Sequence, residues 1–110
     1  MTFFEGELDI TKKIKMIEKL KSSLLSQVAD LYSSMADDDN SKEESYLDIL
    51  SDILILTYLL SNKLGTSNEA LDIRVLNKLK IAMLGSKDHY TDWDRELGEL
   101  SRHLLKSRNL

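Results

Sequence analysis

The sequence predicts an all-α protein built as a bundle of four main helices. The chain has no proline and four glycines in 110 residues, and 31% of its residues are charged. Apolar side chains recur at steps of three or four over most of its length, which is the helical period. Residues 53–60 are apolar except for Thr57, so the helix that carries them is expected at the centre of the fold, buried on every side. That run is too short to span a bilayer, and its helix also holds Asp48, Asp52 and Lys63, so no membrane association is expected.

In chain order, residues 1–8 mix Phe3 and Phe4 with Glu5, Gly6 and Glu7 without a sustained period and read as an N-terminal tail. Residues 9–110 read as a single domain. Asp9 has the chemistry of an N-cap, after which Ile10, Ile14, Ile17, Leu20, Leu24, Val28, Leu31 and Met35 trace one face of a long first helix, with Ser22 and Ser23 the expected place for a bend. Lys12, Lys13, Lys15, Lys19 and Lys21 decorate its polar side, as a solvated face or as a surface for the approach of phosphate. The run ADDDN at 36–40 ends this helix, and Ser41 with Glu44 forms a capping box for the next. The central helix stops at Gly65, and Thr66 with Glu69 makes a second capping box. The third helix carries Leu71, Val75, Leu76, Leu79, Ala82 and Met83 as its apolar stripe, and Arg74, Lys78 and Lys80 as candidate phosphate contacts. The last helix is expected to begin between 88 and 91 and to turn Tyr90, Trp93, Leu97, Leu100 and Leu104 inward.

Several chemistries are excluded. Without cysteine there is no disulfide framework or thiolate metal site. His89 and His103 are the only imidazoles and are too far apart in sequence to form an H-x-x-x-H ligand pair. No glycine-rich strand-to-helix turn or G-x-S-x-G context is present, and Asp37 to Asp39 lack the glycine and distal glutamate of a calcium loop. A net charge of −4 offers no broad basic field, which argues against nucleic acid as a partner. The absence of cysteine and of an N-terminal apolar region makes a cytoplasmic address the expectation.

Carboxylates remain. Acids three or four positions apart on a helix point the same way, and two such helices side by side can converge on a hard cation. Asp30 on the first helix and Asp48 and Asp52 on the central one are the candidate metal ligands.

The segments DITKKIKMIEKLKSSLLSQVADLY and YLDILSDILILTYLLSNKLGTSNEALDIRVLNKLK, followed by a W-x-x-x-L-x-x-L ending, resemble the small MazG-like proteins of the all-α nucleoside-triphosphate pyrophosphohydrolase superfamily. The resemblance implies a helical fold that forms a homodimer or homotetramer. It also implies Mg²⁺-dependent hydrolysis of a nucleoside triphosphate to the monophosphate and pyrophosphate, with Mn²⁺ as a substitute ion. The superfamily's metal motif is E-x-x-E on one helix and E-x-x-D on the next. Carried onto this chain, it falls on Gln27 and Asp30, then on Ile49 and Asp52, so two of the motif's acids are replaced by neutral residues. Asp48 neighbours the Ile49 place but projects about 100° around the helix from it. Two function classes follow: an enzyme with a reduced carboxylate site, and a nucleotide-binding or protein-interaction module without catalysis. In the second, a Gln27–Asp52 hydrogen bond is expected to satisfy the site internally, with Ile49 packed beside it. No side chain is assigned to catalysis itself.

Overall fold

The computed structural model describes residues 2–37, 43–84 and 93–108. Four helices follow one another: α1 (Thr2–Ala36), α2 (Glu43–Lys63), α3 (Asn68–Met83) and α4 (Asp94–Arg108). The all-α prediction holds. The chain divides into two compact units, Met1–Thr66 and Ser67–Leu110, where the sequence reading expects a single domain from residue 9. Each unit is a pair of helices, α1 with α2 and α3 with α4.

In the first unit, α1 starts at Thr2 rather than at an Asp9 cap and runs without interruption through Ser22 and Ser23. Helical hydrogen bonding thus absorbs most of the expected tail. A short connection returns the chain, and the Tyr46 hydroxyl donates to the Ser34 carbonyl at 3.3 Å, tying the start of α2 to the end of α1. The two helices meet along half-buried seams, Ile17, Leu20, Leu24, Gln27, Leu31 and Ser34 on α1 against Tyr46, Ile49, Ile53, Leu56 and Leu60 on α2. Both seams advance by three and four, as the sequence stripes require. Helix α1 has 35 residues and α2 has 21, so the N-terminal part of α1 extends beyond the end of α2 by about 20 Å at 1.5 Å per residue.

Helix α2 is not buried on every side. It contains no fully buried residue, and Leu54, Ile55 and Leu59 are 59%, 54% and 47% exposed. Its unit supplies one neighbouring helix, and one neighbour covers one face. Thr57, the polar interruption of the apolar run, bonds its hydroxyl to the Ile53 carbonyl at 2.7 Å and so remains helical.

The end of α2 is a complete Schellman motif. Gly65 adopts φ +99°, Thr66 N–H donates to the Ser61 carbonyl at 3.0 Å, and Gly65 N–H donates to the Asn62 carbonyl at 3.1 Å. The predicted stop at Gly65 is therefore met. The predicted cap at Thr66 shifts by one residue: the Ser67 hydroxyl accepts from Ala70 N–H at 3.0 Å, while the Thr66 hydroxyl donates to the Ser61 carbonyl at 2.9 Å. Both hydroxyls can cap, and the Schellman turn consumes the first.

The second unit has a small core of Leu79, Ala82 and Leu97, with Val75, Met83 and Leu104 packed around it. The α3 stripe lies where the spacing put it. On α4, the inward face passes through Leu97, Ser101 and Leu104, while Trp93 and Leu100 are exposed at 56% and 45%. The predicted start of α4 between 88 and 91, Tyr90, His89, Gly85 and the Ser41 cap lie outside the described residues.

Candidate functional site

The two seams divide the first hairpin into two flanks. A residue immediately before a seam position falls about 100° to one side of it, and the residue immediately after falls to the other. A cleft of about 460 Å³ is lined by Met16, Lys19, Leu20, Ser23, Leu59 and Lys63. Ser23 precedes the seam residue Leu24, and Leu59 precedes Leu60, so the preceding neighbours on both helices share this flank. By the same spacing the flank continues to Asp30, before Leu31, and to Asp52, before Ile53. Ser23 and Leu59 line the cleft together, and seven residues further along α1 and back along α2 the antiparallel run carries Asp30 and Asp52 to about the same level of the hairpin.

Both of these aspartates are exposed, as is Asp48, whereas Gln27 and Ile49 are half-buried within the seam itself. By the same spacing Asp48, before Ile49, falls on the flank of Asp52, one helical turn nearer the start of α2. The expected Gln27–Asp52 hydrogen bond is absent among the described residues, because Gln27 lies on the seam while Asp52 points to solvent. Ile49 does pack in the seam. An exposed Asp52 is hydrated and needs neither metal nor amide to offset burial.

No group of three or more His, Asp or Glu side chains that could hold a metal converges among the described residues. The acids of this flank are Asp30 and Asp52, with Asp48 one turn beyond Asp52. That fits one Mg²⁺, an ion that commonly takes one or two protein carboxylates and fills its remaining positions with water and phosphate oxygens. It does not fit a two-ion arrangement, which needs more acids than the Gln27 and Ile49 places leave.

The cleft runs on into a second hollow of about 480 Å³ lined by Asp9, Lys12, Lys13, Met16, Asn62 and Lys63. Together they present an apolar floor of Met16, Leu20 and Leu59 under a rim of lysines. Lys12, Lys13, Lys19 and Lys63 have no carboxylate partner among the described residues, unlike Lys21, whose Nζ lies 3.0 Å from Glu18. The sequence reading singled out the lysines of α1 but not Lys63. Only the hairpin register, which sets the last turn of α2 against Met16, reveals it.

The three basic residues of α3 do not converge. Lys80 lines a hollow of about 270 Å³ with Ile73, Leu76, Asn77, Met83, Ser101 and Leu105, whereas Lys78 lines another with Val75, Leu79, Leu97 and Leu100. Arg74 stands one turn before Lys78 and is exposed. His103 is exposed on α4.

A comparison with protein families places the chain. The profile of the MazG-like family matches residues 10–97, spanning both units. The chain belongs to the MazG-like family. Searches among curated proteins and among solved structures return no match. The matched span includes Gln27, Asp30, Ile49 and Asp52. No described helix is long and apolar enough to cross a membrane.

Proposed function

We propose that this MazG-like protein is a nucleoside triphosphate pyrophosphohydrolase with a reduced metal site, working with one Mg²⁺ (or Mn²⁺) rather than two. The observation that carries the reading is the register of the first hairpin, which sets Asp30 and Asp52 on one flank beside an apolar cleft rimmed by lysines. Asp30 and Asp52 hold the ion, and Asp48 is a third, more distant acid. The ion supplies charge neutralisation for the phosphates. The lysines of the cleft attract the polyanion as mobile point charges, and Met16, Leu20 and Leu59 offer an apolar surface for a base or sugar.

A second reading is a nucleotide-binding or interaction module without turnover. The neutral, half-buried Gln27 and Ile49 favour it, because they remove the carboxylates that a second ion or an acid–base step would use. Release of pyrophosphate from a panel of nucleoside triphosphates, with Mg²⁺ or Mn²⁺, separates the two. The enzyme reading expects metal-dependent release that Asp52→Asn abolishes. Saturable nucleotide binding with no product above the buffer rate establishes the module instead.

A further inference from the structure

The net charge of −4 is unevenly spread over the first hairpin. Between residues 22 and 62 the described residues include Asp30, Asp48 and Asp52 and no lysine or arginine. Toward the open end of the same flank, Lys12, Lys13, Lys19 and Lys63 stand around the two joined hollows. Asp9 is the acid in that lining, Glu18 is paired with Lys21, and Glu5 and Glu7 stand further out on α1. A cleft lined by one sign of charge focuses the field within it, so a chain of negative net charge can still hold a polyanion here. Lys19 stands eleven residues before Asp30 and Lys63 eleven after Asp52, about 16 Å along either helix at 1.5 Å per residue. Lys12 stands eighteen residues before Asp30, about 27 Å away by the same rise. The charge of a nucleoside triphosphate ends at its α-phosphate, and a lysine side chain at full reach spans only part of such gaps. A free nucleotide anchored at Asp30 and Asp52 would lay its sugar and base over the exposed Ile55 and Leu59 and bring no anion to Lys12 or Lys13.

We propose that the preferred substrate is the triphosphate-bearing 5′ end of a short single-stranded RNA. The ion at Asp30 and Asp52 holds the triphosphate, the first nucleoside lies on the apolar floor, and the following phosphates of the strand meet Lys19 and Lys63, then Lys12 and Lys13. This rests on the one-ion site of the proposed function and names what that site takes. A single nucleotide with an added 3′-phosphate does not serve, because its phosphate groups flank one sugar and cannot span the length of the groove. A basic groove that tracks a backbone is how single strands are held, and contacts to phosphate leave the sequence unread. The chemistry is that of the free nucleotide. Water attacks the α-phosphorus, the bond from that atom to the α–β bridging oxygen breaks with its electron pair going to pyrophosphate, a proton passes to solvent, and the strand keeps a 5′-monophosphate. The 5′-triphosphate is the end that primer-independent synthesis leaves on RNA.

The test is calorimetric titration of the full chain in Mg²⁺ with three ligands: a tetranucleotide RNA carrying a non-hydrolysable α,β-methylene triphosphate at its 5′ end, the same RNA with a 5′-hydroxyl, and the matching α,β-methylene analogue of its first nucleotide. The triphosphorylated RNA is expected to bind at least tenfold tighter than either of the others. Lys12→Gln with Lys13→Gln, both exposed positions, should remove its advantage over the nucleotide while changing nucleotide affinity twofold or less. The same pair of changes should flatten the slope of log affinity against log salt for the RNA by about 1.4, at about 0.7 per lost phosphate contact on a single strand. Asp52→Asn should weaken the RNA and the nucleotide alike. Circular dichroism checks that each variant keeps its helix content. Equal affinity for RNA and nucleotide, or a lysine change felt equally by both, would overturn the substrate assignment and leave the one-ion nucleotide site standing. RNA binding indifferent to its 5′-triphosphate would overturn it as well, by making the groove a general nucleic-acid surface. Nucleotide binding indifferent to Asp52→Asn would instead strike the metal site, and with it the anchor of this proposal.

Discussion

Replacing either of two glycines by alanine should change stability in opposite directions, for reasons visible at each. Gly98 lies inside α4, and a Cβ built on it would sit 3.7 Å from Arg102 Nη1 and 3.8 Å from Met83 Sδ, both ordinary van der Waals distances. Gly98→Ala therefore gains the helix propensity of alanine over glycine, about 0.8–1 kcal/mol, with no steric cost. Gly65 has φ +99°, and although no atom lies within 4 Å of a built Cβ, an L-residue there meets its own backbone. Gly65→Ala should cost about 1–2 kcal/mol and fray the end of α2. Thermal unfolding followed by circular dichroism reads both, and Trp93, the only tryptophan, reports on the unit that holds Gly98. The Gly98 variant should melt higher by about 3–8 °C, given roughly 4–8 °C per kcal/mol in a small domain. A lower melting temperature for Gly98→Ala, or an unchanged one for Gly65→Ala, would refute the reasoning.

Two further changes probe the second unit. Leu79, 7% exposed at the centre of the α3–α4 core, should cost about 2–4 kcal/mol when cut to alanine, seen as loss of the Trp93-monitored transition at moderate urea. The Ser101 hydroxyl is buried without a hydrogen-bond partner among the described residues, so Ser101→Ala should raise the urea midpoint, by an amount equivalent to about 1 kcal/mol.

Much of this architecture is legible in the residues. The α3 stripe through Val75, Leu79 and Ala82 is the core, and Gly65 is the stop that its chemistry announces. Local rules mislead where two residues offer the same chemistry. Thr66 and Ser67 both carry capping hydroxyls, and only the closure of the Schellman turn assigns the first to Ser61 and leaves the second to Ala70. Asp9 looks like a cap, yet α1 already runs through it, because an acid is also tolerated within a helix. On α4, Leu100 and Ser101 are neighbours, and apolarity alone favours turning the leucine inward. The actual face follows Leu97 and Leu104, which carries Ser101 inside.

The candidate site shows the same division. Helical spacing marks Asp30 and Asp52 as projecting residues, and both lie within the span matched by the family. What spacing within one helix cannot reveal is the pairing of two helices. The antiparallel register of α1 and α2 puts Asp30 on the flank that carries Asp52 and, one turn away, Asp48, and it shows that Lys63 completes the rim begun by Lys12 and Lys19. It also explains why the all-round apolar run of α2 emerges half in water, since a two-helix hairpin has an outer face by construction.

Asp30 and Asp52 are proposed to hold one divalent ion together with a nucleotide. Mn²⁺ titration followed by electron paramagnetic resonance, in the presence of a non-hydrolysable nucleoside triphosphate, counts that ion directly. One Mn²⁺ per chain is expected, with affinity falling at least tenfold in Asp30→Asn and in Asp52→Asn. Binding that neither substitution alters would contradict the assignment, as would the absence of any bound ion at millimolar Mn²⁺.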